Sequence, residues 1–79
     1  MIMELETLYK YAYRGVIDHI KTLTKLYNMC VEVGDGDAAS EYEIQIENSK
    51  SDFNNIVLCL GYDLYSCYEI LDYEIRKEL

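Results

Sequence analysis

The sequence predicts an all-α fold: an antiparallel helical hairpin or a small three-helix bundle, with dimerisation as a way to complete it. Three observations carry this expectation. The 79 residues contain no proline and only four glycines, so little obliges the backbone to break. Apolar residues recur at steps of three and four through both halves, the period that stacks them on one side of a helix. Glycine falls where such helices would have to turn.

Length makes the packing marginal. For a chain of 9.3 kDa, apolar burial and the entropy of ordering the chain are both on the order of 120 kcal/mol. A balance so close to zero calls for regular packing or a partner, and it motivates the expectation of a homo-oligomer.

The first element is expected from about residue 3 to 32. Leu5, Leu8, Tyr9, Ala12, Val16, Ile20, Leu23, Tyr27 and Cys30 form its apolar stripe, with Glu6, Lys10, Arg14, Asp18, Lys21 and Lys25 largely opposite. Glu6 and Lys10 have the favoured acid-first i,i+4 order. Gly15 weakens the middle of this helix, and a neighbour could approach closely there.

Gly34-Asp35-Gly36-Asp37 is the clearest punctuation. Gly34 suits the left-handed position that closes a helix, and Asp37 can cap the next one from about residue 38 to 60. Ser40-Glu41-Tyr42-Glu43 offers an alternative start as a capping box. Tyr42-Glu43-Ile44-Gln45-Ile46 alternates like a strand, but two short strands without a third are marginal.

Ile46, Phe53, Ile56, Val57, Leu60, Leu64, Cys67, Leu71 and Ile75 then keep the helical step to the C-terminus, passing Gly61 without losing phase. Either one bent helix continues through Gly61, or Gly61 ends it and Asp63 caps a third helix over about residues 62 to 77. Three helices are the preferred reading, with the third as an arm or folded back.

Chemistry is sparse. His19 is the sole histidine and has no nucleophile motif beside it; Asp18 points about 100° away around the helix. Cys30, Cys59 and Cys67 are odd in number and lack the spacing of a disulfide framework or zinc site, so reduced thiols in a helical interior are expected. Asp35-Gly36-Asp37 departs from a calcium loop, since Ala39 takes the third ligand position and the required glycine and glutamate are missing. No catalytic residue, cofactor or metal is expected, and no enzyme activity. The longest apolar run, Ile56 to Leu60, is too short to cross a bilayer, and Glu4 and Glu6 stand where a signal peptide would be basic. A cytoplasmic protein is expected.

Charge is the informative feature. The net charge is -8, yet Glu4, Glu6, Asp18 and Glu32 cancel Lys10, Arg14, Lys21 and Lys25 in the first 33 residues, so the second half carries all of it. Glu32, Asp35, Asp37, Glu41, Glu43 and Glu47 follow one another with no base between them, and Asp52, Asp63, Glu69, Asp72 and Glu74 do the same between Lys50 and Arg76. Such a surface repels nucleic acid and anionic lipid and suits a basic partner. Solubility alone is the plainer explanation.

Tyrosine is the second unusual feature, nine residues against one phenylalanine and no tryptophan. Tyr9, Tyr27 and Tyr68 fall on or beside the stripe and read as core. Tyr62, Tyr65 and Tyr73 lie with acids on the less apolar sides of the last segment, a combination suited to binding Arg and Lys. Small, acidic and without catalytic motifs, the chain resembles in general character the DNA-mimic proteins of phages and mobile elements. No motif carries the likeness. It implies a protein-binding inhibitor occupying a basic nucleic-acid-binding or active-site groove, working in the host cytoplasm if phage-encoded. The expected contacts are Glu41, Glu43, Glu47, Glu69 and Asp72, with Tyr65 and Tyr73 as anchors. The alternative is an assembly module, a homo-oligomeric helical bundle kept in solution by its acids.

Overall fold

A computed structural model describes residues 5–78, with side chains over residues 7–77. Three helices follow in order, α1 Leu5–Glu32, α2 Gly36–Leu60 and α3 Leu64–Glu78, with no strand among the described residues. The expected start near residue 3, the place of Leu5 on the stripe and the Glu6–Lys10 pairing lie outside what is described. The strand-like alternation of residues 42–46 is overridden: they sit within α2, without a third strand to support a hairpin.

Both turns use the same device. Gly34 takes φ 78°, its N–H donates to the Val31 carbonyl at 3.2 Å, and the Asp35 N–H reaches back to the Cys30 carbonyl at 2.9 Å. This Schellman arrangement satisfies two carbonyls at the end of α1. Gly61, at φ 72°, repeats it: its N–H meets the Leu58 carbonyl at 3.1 Å and that of Tyr62 meets Val57 at 3.2 Å. Gly61 therefore ends α2, and the continuous-helix reading is set aside.

Caps follow from these turns. Asp35 accepts from the Ala38 N–H at 3.1 Å and opens α2, which corrects the expected caps Asp37 and Ser40. Once the turn at Gly34 has folded Asp35 back onto Cys30, its carboxylate is the one facing the free N–H groups, and Gly36 becomes the first helical residue. Asp63 caps α3 as expected, accepting from the Ser66 N–H at 3.0 Å and hydroxyl at 2.7 Å. These bonds stabilise the carboxylate and lower its pKa below the ordinary 3.8.

The core is built from Ile17 and Ile20 of α1, Phe53 and Val57 of α2, and Cys67 and Leu71 of α3. Tyr13 lies stacked on Phe53 with ring centroids 5.6 Å apart, while Tyr62 meets Tyr13 edge-on at 6.0 Å. Burial pushes the Tyr13 phenol up to about 12, with Cys67 and Tyr62 beside it adding to the shift. No buried side-chain nitrogen or oxygen is left without a partner among the described residues.

The second stripe is buried much as expected, but the first is rotated. Leu8 is 48% exposed and Ala12 is exposed, whereas Ile17, which the expected stripe omits, is buried. The reason is α3, which folds back over the side of α1 that carries Tyr13, Ile17 and Lys21. Lys21 donates to Glu74 at 3.4 Å and ties the two helices; as a partly exposed pair it contributes up to about 1 kcal/mol. α3 has 15 residues against 28 and 25 in α1 and α2, and among the described residues its contacts include side chains on residues 13–21 and 50–57. The result is elongated, 47 × 25 × 18 Å. Its 5766 Å² of exposed surface exceeds the roughly 5,000 Å² of a compact chain of this mass.

The glycines give a contrast in sign. A Cβ added at Gly15 would meet nothing within 4 Å, so the expected close approach of a neighbour does not occur there. Gly15→Ala is expected to stabilise the fold by about 0.5–1 kcal/mol through helix propensity alone. Gly61→Ala also meets open space, yet is expected to destabilise by about 1–2 kcal/mol because its left-handed backbone strains any Cβ. Thermal melts of the two variants against the parent check both signs.

Candidate acidic and tyrosine-rich interface

α3 presents two sides. Leu64, Cys67, Leu71 and Ile75 recur at steps of three and four and pack inward; the same period turns Tyr65, Glu69, Asp72 and Tyr73 outward. All four are exposed, Tyr65 to 73% and Tyr73 to 64%. With Tyr68 and Arg76 they line one shallow depression of about 480 Å³ along the helix. Four of the seven expected contact residues are thus brought together.

Glu41, Glu43 and Glu47 are not among them. They stand exposed on the N-terminal half of α2 and line no part of that depression. The acidic surface is therefore two regions of one chain.

Two lining residues escaped sequence reasoning. Tyr68 was assigned to the core, where its ring does meet Phe53 edge-on at 5.2 Å. Its hydroxyl donates to Asn54 Oδ1 at 3.3 Å and lies 3.5 Å from the Lys50 carbonyl. The ring is thereby fixed, half-buried, as the inner part of the lining. Arg76 was seen as the end of an acidic run, but it stands four residues after Asp72 and so returns one positive charge to the same side of the helix. That spacing was available in the sequence.

The fold employs some acids and leaves others unused. Asp35 and Asp63 cap helices, and Glu74 pairs with Lys21. Among the described residues, no ion pair or side-chain hydrogen bond engages Glu41, Glu43, Glu47, Glu69 or Asp72.

A second groove runs between α1 and α3, lined by Tyr13, Arg14, Ile17, Asp18, Ile70 and Glu74. Its charges are mixed, so it has no single preference for a cation or an anion. Cys59 is exposed, contrary to the interior position expected of it, while Cys30 is half-buried and Cys67 buried. Tyr9 has its phenol pKa raised chiefly by a hydrogen bond with Cys59. Among the described residues no group of three or more His, Cys, Asp or Glu side chains could hold a metal ion, and no helix is long and apolar enough to cross a membrane. No family model, characterised protein or solved structure matches the chain.

Proposed function

We propose that this chain is a protein-binding module that presents its acidic, tyrosine-bearing surface to a basic region of another protein, and that it inhibits that protein by filling a nucleic-acid-binding or active-site groove. One observation carries the reading: five exposed carboxylates take no part in holding the fold together, although their mutual repulsion opposes it. Carboxylates on successive turns of a helix stand ~6 Å apart, near the spacing of phosphates along a strand.

The test is capture of a partner from a lysate, followed by competition. A bound partner should be released by duplex DNA or RNA and by raised salt, because screening weakens charge pairing but leaves apolar packing intact. Reversing Glu41, Glu43 and Glu47 to Lys, or Glu69 and Asp72 to Lys, should slow association at least about tenfold at low salt. Equal binding by the charge-reversed proteins would sink the proposal.

Self-assembly is a second reading, favoured by apolar side chains left in solvent toward the far end of the hairpin: Met29 at 59% exposure, Val33 at 80% and Ile44 at 62%. The same end carries Glu32, Asp35, Asp37, Glu41, Glu43 and Glu47, which oppose a like-charged copy. α3 also folds back after Gly61 and packs against α1 and α2 within the one chain. Sedimentation equilibrium over micromolar concentrations separates the two readings.

A further inference from the structure

We propose that the depression along the outer side of α3 receives one arginine side chain of the partner, with Tyr65, Tyr68 and Tyr73 offering ring faces to the guanidinium and Glu69 and Asp72 accepting its N–H groups. This rests on the protein-binding reading above and names the ligand chemistry of that site.

The lining is graded from rigid to open. Tyr68 is held by Phe53 behind it and by its hydroxyl at Asn54, so one wall is set before any ligand arrives. Tyr65 and Tyr73 stand eight residues apart on the same helix, little more than two turns, and flank it with rings that are largely in solvent. Pre-set aromatic surface lowers the entropy lost on binding. The volume, about 480 Å³, falls in the range of sites that take a small group with its stem.

Charge selects the class of ligand. Glu69 and Asp72 outweigh Arg76 around the depression, so an anion would be repelled and a cation drawn in. Ring faces then select among cations. A guanidinium is planar, weakly hydrated and stacks on aromatic rings while still donating in its plane, whereas an ammonium retains its water and acts as a point charge.

The experiment titrates the whole protein with the blocked peptide Gly-Arg-Gly and, separately, Gly-Lys-Gly, following backbone and tyrosine-ring resonances by NMR. Saturable shifts confined to residues 65–76 are expected, with the lysine peptide about threefold weaker or more. Glu69→Gln with Asp72→Asn should abolish saturation while leaving the circular dichroism spectrum unchanged. Tyr65→Ala should weaken binding without altering the fold. Shifts spread over all the acids, or equal affinity for the two peptides, would overturn the arginine site and leave the protein-binding reading standing on charge alone. Partner binding that survives charge reversal would overturn that reading instead.

Discussion

Phe53→Ala is expected to remove about 3–5 kcal/mol of stability, out of the roughly 4–12 kcal/mol available to a chain of this length. The side chain is fully buried, and it is the ring on which Tyr13 of α1 and Tyr68 of α3 converge. Truncation would leave a void that three helices border and none can fill, so both the lost transfer energy and the cavity count. Urea unfolding followed by circular dichroism measures the effect. Leu58→Ala, on the exposed side of α2 at 61% exposure, is the control and should stay within about 0.5 kcal/mol. A Phe53→Ala loss under about 1.5 kcal/mol would mean that the rings do not meet as described.

Leu71→Ala should cost about 2–5 kcal/mol and act selectively. Leu71 is also fully buried, but it belongs to the shortest helix, whose other fully engaged side chain is Cys67. Losing it weakens the attachment of α3 more than the pairing of α1 with α2. Hydrogen exchange should therefore quicken over residues 64–77 before it quickens in the middle of α2. Uniform loss of protection would show instead that the three helices open only together.

The sequence made some of this legible for reasons that can be named. The second stripe identified Phe53, Val57, Cys67 and Leu71 because residues on α2 and α3 face the same core, so period alone selects them. Gly61 and Asp63 were readable as a stop and a start because each residue type suits one backbone position. The first stripe was displaced because a helix with apolar residues around more than a third of its girth does not reveal which flank a third helix will cover. Ile17 is core, with Tyr13 packed half-buried beside it, because Phe53 of α2 and the residues of α3 meet on that flank together. The choice of Asp35 over Asp37 depended on how Gly34 aims the chain, a three-dimensional matter. Glu69 and Asp72 lie together because they share one helix, while Glu41, Glu43 and Glu47, expected on the same surface, stand apart because the pairing of α2 with α3 is not written in charge.

The unequal lengths of the helices also grade the molecule's dynamics. Where α3 runs alongside, the fully buried side chains Ile20, Phe53, Val57 and Leu71 are gathered, so opening there uncovers the core. Beyond it, residues 26–33 and 36–46 form a bare two-helix stem with few buried side chains, and segments of that kind exchange and fluctuate at a small fraction of the global free energy. The stem ends in the acid-rich turn. Its carboxylates therefore ride on the yielding end of the protein, while the tyrosine-lined side of α3 lies over the packed core.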